Sequence, residues 1–217
     1  MKSSLTNMVL VMLGITLVCS AAVGGVYTLT FDTIEQAKAQ KLQSAYGEVL
    51  PAFDQLETTT VELAGQTLNV NIARMGQTIV GYAVESDANG FGGAIRMVVG
   101  FDAEGTVTGV KVLEQAETPG LGDLISKPAS KVELSIVGRN PGKIKMAVTK
   151  DGGDVDALTA ATITSRAYVN AVEKAFNAYL AQTQGAQATD GYSGATTQTN
   201  AEKKHQSGRK KKGGNNE

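Results

Sequence analysis

Residues 8–31 carry no charged side chain and are dominated by Val, Leu, Met, Ile and Ala. A helix needs about 20 apolar residues to cross a bilayer, so this stretch is long enough to span one. Two kinds of processing compete for the same residues. A lipoprotein signal wants a small residue directly before its Cys, whereas Val18 precedes Cys19. Ser20 and Ala22 are small at the positions a signal peptidase reads, which makes cleavage after Ala22 the stronger rival. The apolar run continues through Val23, Val26, Tyr27, Leu29 and Phe31, which favours an uncleaved anchor. Lys2 and the amino terminus flank one side of it, and Asp32 and Glu35 the other. That asymmetry places the N-terminus in the cytoplasm and the rest of the chain outside.

The 217 residues leave room for one domain of about 150 residues beside this anchor. We divide the chain into a cytoplasmic N-terminus (1–7), a transmembrane anchor (8–31), a stalk helix (32–51), a folded domain (52–182) and a disordered basic tail (183–217). Residues 181–217 are poor in large apolar side chains and rich in Gln, Thr, Gly, Asn and Lys, so they cannot bury a core. The net charge of −1 hides a split: the tail carries six bases and three acids, which leaves −4 on the remainder. Its run Arg209 to Lys212 has no aromatic interleaving, so we expect no nucleic-acid partner. Contact with lipid headgroups and plain solvation both remain open for it. The single cysteine excludes an intrachain disulfide and any multi-Cys metal or iron–sulfur site built by this chain alone. We expect no metal. His205, the only histidine, lies in the tail, so nothing here forms a nucleophile–His–acid triad and no residue is assigned a catalytic role.

Residues 33–50 are rich in Ala, Gln, Lys, Glu and Leu, with Pro51 just beyond, which predicts the stalk helix. Strands are predicted at residues 68–73, 78–84, 94–101 and 106–113, the last two joined through Asp102-Ala103-Glu104-Gly105. A further short strand is predicted at residues 143–149, followed by a turn at Asp151-Gly152-Gly153-Asp154. From Ser165, an i, i+3, i+4 stripe of Tyr168, Val169, Val172, Ala175, Phe176, Tyr179 and Leu180 predicts a helix packed on a core. The order helix, antiparallel strands, helix gives an α+β domain.

Directly before that helix runs Asp156-Ala157-Leu158-Thr159-Ala160-Ala161-Thr162-Ile163-Thr164-Ser165. A helix N-terminus offers unpaired N–H groups and partial positive charge, and residues this small let a phosphate approach the backbone. One of the hydroxyls could carry that phosphate covalently. The alternative is an ordinary helix start, because Ser and Thr are favoured caps. Two other segments stand out: Gly90-Phe91-Gly92-Gly93, and Glu117-Thr118-Pro119-Gly120-Leu121-Gly122-Asp123, a rigid turn with bare backbone.

Taken together, in this order after one N-terminal anchor, the three segments resemble the FMN-binding domain of the RnfG family, the G component of the Rnf electron transport complex. The C component of the sodium-pumping NADH:quinone oxidoreductase is similar at greater distance. The resemblance runs from Leu5-Thr6-Asn7-Met8 through the terminal helix. It implies a single N-terminal transmembrane helix followed by an antiparallel-sheet FMN-binding domain with flanking helices. It also implies FMN joined by a phosphoester to the last Thr of an Asp-x-x-[Ser/Thr]-Gly-Ala-Thr motif. Here that assigns Thr162 as the flavin bearer, with Asp156, Thr159 and Ala161 in the other motif positions. Ala160 stands where the pattern has Gly. Ile163 and Thr164 complete this side of the site. The resemblance further implies that Glu117, Thr118, Gly120, Leu121 and Gly122 form the loop against the isoalloxazine, with Leu121 on the ring and backbone of Thr118 and Gly120 at its polar edge.

The tail repeats the motif with Gly in place, as Asp190-Gly191-Tyr192-Ser193-Gly194-Ala195-Thr196, which makes Thr196 a possible second acceptor or a decoy. The resemblance implies an electron relay in a bacterial inner-membrane complex that couples ferredoxin and NAD redox chemistry to ion translocation. Its partners would be other membrane and peripheral subunits, membrane lipid, and a flavin transferase for maturation. On this reading the chain is a redox subunit of a translocase and not a stand-alone catalyst. The alternatives are the corresponding component of the quinone-reducing pump, a free-standing anchored FMN reductase, and a non-redox anchored binding module.

Overall fold

The computed structural model describes residues 5–63 and 65–185. By its contacts the chain forms two units, Met1–Ser44 and Ala45–Glu217. A single helix, α1 (Leu5–Val49), runs through the first unit into the start of the second. Anchor and stalk are therefore one element, because no Pro interrupts the sequence until Pro51, which also disfavours helical backbone at Leu50. Its N-terminal portion is long and apolar enough to cross a membrane, and those side chains are exposed.

The second unit is built on five antiparallel strands in sequential order: β1 (Gln55–Leu63), β2 (Gln66–Met75), β3 (Thr78–Asn89), β4 (Ala94–Phe101) and β5 (Val107–Glu114). The register aligns Val70, Val84, Val99 and Val110 as one cross-strand row, all buried. β-Branched side chains suit that pleated surface, and the row makes the floor of the core. A short α2 (Lys131–Leu134), capped by Ser130, follows the sheet. Onto the row packs α3 (Thr162–Gln184), which lies chiefly over β3. Tyr168, Val169, Val172 and Phe176 of its apolar stripe are buried, each contributing about 1.5–3 kcal/mol of transfer free energy. Ser86 Oγ donates to Ala171 O at 2.7 Å, and Lys174 Nζ pairs with Asp87 Oδ1 at 2.6 Å. These two contacts fix α3 lengthwise on β3.

The other face of the sheet takes the last turn of α1, burying Ala45, Tyr46 and Val49. Gly100 makes room for it: a Cβ there would sit 2.2 Å from Val49 O. Tyr46 donates to Glu85 Oε1 at 2.8 Å and accepts from Asn71 Nδ2 at 3.0 Å, while Thr58 donates to Asn71 Oδ1 at 2.7 Å. Burial and the neighbouring Glu85 carboxylate push the Tyr46 phenol well above its ordinary range, so it stays a donor.

Four expectations need correction, the first being that β3 runs to Asn89, five residues beyond the predicted end at Val84. Residues 143–149 are not a strand: a 3₁₀ turn at Pro141–Lys143 leads into a single parallel bridge, Val148 to Val155, and a second turn at Thr149–Asp151. Their backbone groups pair with the following turn instead, as Asp154 N–H donates to Lys145 O and Val155 N–H to Ala147 O. β1 was not anticipated, because its run of three threonines is a half-exposed edge with little apolar signal. α3 starts at Thr162, three residues before the expected start, and continues past Leu180 to Gln184.

If Gly100 exists to admit α1, Gly100→Ala should cost about 1–3 kcal/mol by overpacking. Gly47→Ala, facing open space, should cost nothing. Urea denaturation of the two variants checks this; equal midpoints would remove the contact from the account.

Candidate functional site

Sheet and helix bring the three sequence segments to one place, and the residue that joins them is Glu117. It is buried, at 6% exposure. Its Oε1 accepts from Gly92 N–H at 3.0 Å, and its Oε2 accepts from the Thr164 hydroxyl at 2.5 Å. The glycines around it are there because side chains would collide. A Cβ at Gly90 would lie 2.2 Å from Glu117 Oε1, and one at Gly122 would lie 2.8 Å from Oε2. The loop after Glu117 is a turn with Pro119 and Gly120 at its centre, Gly120 at φ +77° and Leu121 N–H closing on Thr118 O at 3.1 Å. Positive φ directly after the Pro of a turn is the type II pattern and calls for Gly. It presents Leu121, which is 41% exposed.

Between these segments lies a cavity of about 420 Å³, lined by Phe91, Glu117, Thr118, Leu121, Gly122, Ala160, Ala161, Thr162, Ile163 and Thr164. Its lining is mostly apolar on the side of Phe91, Leu121 and Ile163, as expected of a site for a flat organic group. Its other side is the start of α3. No side chain caps that helix: its N-cap is Ala161. The hydroxyls that could have capped it are engaged elsewhere. Ser165 Oγ accepts Leu158 N–H at 2.9 Å and donates to Ala161 O, Thr164 serves Glu117, and Thr162 Oγ1 accepts from Lys150 Nζ at 3.0 Å. The first intrahelical bond is Ser165 N–H to Ala161 O, so the N–H groups of Thr162, Ile163 and Thr164 have no acceptor inside the helix. No hydroxyl of this cluster caps the helix, and its first turn keeps N–H groups without an intrahelical acceptor.

Ala160 has φ +60°, in the left-handed region that favours Gly. The departure from the motif thus falls on the residue whose backbone needs Gly most. Asp156 and Thr159 do not line the cavity, and neither does Gly120. Asp156 is exposed in a separate recess with Lys131, Ser135, Arg139 and Thr149, its N–H donating to Ser135 Oγ at 3.0 Å. Sequence reasoning missed two residues. Phe91 is a wall of the cavity, and its flanking glycines were the available signal. Lys150 reaches Thr162 from the edge of the turn predicted at Asp151-Gly152-Gly153-Asp154, with no motif to mark it. That turn is held against α3 by Arg166, whose Nε and Nη2 each donate to Asp151 at 2.7 Å. These bonds hold the Asp151 carboxyl below its usual range. Beside Gly122, Asp123 Oδ1 is buried without a hydrogen-bond partner among the described residues. Thr196 lies outside the described residues.

Two variants test this geometry. Glu117→Ala should cost about 2–4 kcal/mol, because it strands Gly92 N–H and the Thr164 hydroxyl and opens space beneath the loop. A loss under about 1 kcal/mol in urea denaturation would mean the three segments are held by something else. Ala160→Gly should gain up to about 1 kcal/mol by relieving the left-handed strain, net of the extra entropy of Gly. A lower midpoint for that variant would contradict the strain.

Comparison with known proteins places an FMN-binding domain over these segments. The model of the FMN-binding domain family matches residues 90–177, which contain all three segments, and that of the RnfG N-terminal region matches residues 1–49. The G component of the ion-translocating oxidoreductase complex of Cronobacter sakazakii is 38% identical over 162 residues, covering 69% of this chain and 78% of its own. Its counterpart in Salmonella typhimurium is 38% identical over 160 residues, covering 68% and 77%. The one from Shewanella loihica is 34% identical over 184 residues, covering 77% and 86%. Among solved structures, the C component of the Na(+)-translocating NADH-quinone reductase from Parabacteroides distasonis is 23% identical, with a TM-score of 0.46 over 67% of this chain and 82% of that one. The identities and coverage of the relatives are sufficient: the chain belongs to the RnfG family, the G components of ion-translocating oxidoreductase complexes.

Proposed function

We propose that this chain is a membrane-anchored electron relay carrying FMN as a phosphoester of Thr162, within a complex that couples ferredoxin and NAD redox chemistry to ion translocation. The observation that carries the reading is the position of Thr162. It is the first residue of α3, lines the cavity, and stands at a helix end with no side-chain cap. FMN, when bound, supplies one- and two-electron transfer. Every other task falls to the chain itself. The N–H groups of Thr162, Ile163 and Thr164 hold phosphate oxygens, and the α3 dipole offsets their charge. Leu121, Phe91 and Ile163 cover the flat ring system and keep water from it. Glu117 touches the cavity but spends both carboxylate oxygens on Gly92 and Thr164, so it holds the walls at their spacing. A covalent link suits a site outside the cytoplasm, where a dissociated flavin would not be replaced.

The apolar part of α1 anchors this relay in the bacterial inner membrane, with the N-terminus cytoplasmic and the flavin domain outside. Its partners are the other membrane and peripheral subunits of the complex and the surrounding lipid. A flavin transferase loads Thr162. Asp156, placed in a separate recess, is then available to that enzyme and not to the bound flavin.

Thr162→Ala, produced beside an active flavin transferase, should yield protein whose acid precipitate is colourless while the wild-type precipitate keeps its flavin absorbance. Wild-type precipitate without flavin would sink the covalent assignment. Flavin persisting in Thr162→Ala but lost in Thr196→Ala would move the acceptor to the tail.

A further inference from the structure

The cation beside Thr162 helps to hold the adjacent Asp151 carboxyl down, but its hydrogen bond goes to a neutral group. Lys150 is exposed, forms no ion pair among the described residues, and donates to a neutral hydroxyl, Thr162 Oγ1, at 3.0 Å. An ammonium gains little from a neutral acceptor near water and much more from an anion. The turn that carries it is nevertheless held on several sides. Thr149 N–H donates to Val155 O at 2.8 Å, and Gly152, left-handed at φ +73°, closes the turn with its N–H on Thr149 O. A Cβ at Gly153 would lie 2.0 Å from Ala147 O, so that side of the turn admits no side chain. The bidentate pair Arg166–Asp151 clamps the turn to the first part of α3. That pair also occupies the neighbouring guanidinium, which is thereby withdrawn from the site.

Charge balance gives this arrangement a purpose. Glu117, buried and without a cationic partner among its hydrogen bonds, already places a negative group against the start of α3 through Thr164. A phosphoester on Thr162 adds a second negative charge there, and the helix end offsets only about half a charge. We propose that Lys150 is the counter-ion of the flavin phosphate, its ammonium shifting from Thr162 Oγ1 to a non-bridging phosphate oxygen when the group is present. This rests on the FMN reading above. The ammonium is already on the atom that would carry the phosphorus, so the shift needs a side-chain rotation and no movement of the pinned turn. It also gives the site a preference for phosphorylated over unphosphorylated flavin.

The test compares FMN with riboflavin. Full-length chain made without flavin transferase is purified in detergent, and each flavin is titrated by fluorescence quenching into wild type, Lys150→Gln and Lys150→Arg. Lys150→Gln should weaken FMN binding about fivefold to tenfold and leave riboflavin binding and the thermal midpoint of the unloaded protein unchanged. Lys150→Arg should keep most of the FMN affinity, and the wild-type advantage should shrink in about 1 M salt. Equal losses for FMN and riboflavin, or no loss for either, would overturn the counter-ion role. A wild-type protein that binds neither flavin would also overturn the counter-ion role, and the FMN reading beneath it falls only if the chain made beside the transferase gives a colourless acid precipitate.

Discussion

A buried carboxylate organises this domain. Removing Glu117 from water carries a desolvation cost of several kcal/mol, and neither of its hydrogen-bond partners is charged. The structure tolerates it because both oxygens are satisfied and the positive end of α3 lies just behind Thr164. The glycines at 90 and 122 follow from the same constraint, since a methyl group at either would meet the carboxylate. Three segments far apart in sequence are thereby fixed around one cavity. The sheet and α3 supply the platform, but Glu117 sets the distance between its walls.

The second constraint is the entry to α3. Ala160 bends the backbone into the left-handed region, Ala161 leaves the helix uncapped, and the hydroxyls of Thr162, Thr164 and Ser165 bond elsewhere. Backbone strain and unpaired N–H groups at one place both cost stability, and such costs concentrate at sites that hold something. An anion at the helix end would offset the second of them. On the function proposed above, Thr162, first in the helix, is the hydroxyl that carries it.

Much of this was legible in the residues. The strand 94–101 was read with its observed bounds, because alternating burial on β4 is reinforced by a second covered face. The small-residue cluster, the Pro-Gly-Leu-Gly turn and the glycines around Phe91 marked their segments, since close approach of backbone leaves a compositional trace. Direction left no such trace. Asp156 belongs to the motif by spacing yet lies in another recess, and Lys150 reaches the site from a turn that ordinary charge counting assigns to solvent. β1 was hidden by its threonines, and residues 143–149 looked like a strand because local apolar content cannot reveal that the backbone pairs with the next turn.

The central claim is that Thr162 bears the flavin, and peptide mapping of the native protein addresses it directly. Trypsin cutting after Lys150 and Arg166 releases residues 151–166, which contain Thr159, Thr162, Thr164 and Ser165. Cutting after Lys174 and Lys203 releases residues 175–203, which contain Thr196. The account predicts the mass of FMN less one water on residues 151–166, with fragmentation placing it on Thr162. Flavin on residues 175–203 with none on Thr162, on another hydroxyl of residues 151–166 instead, or on no peptide would contradict it.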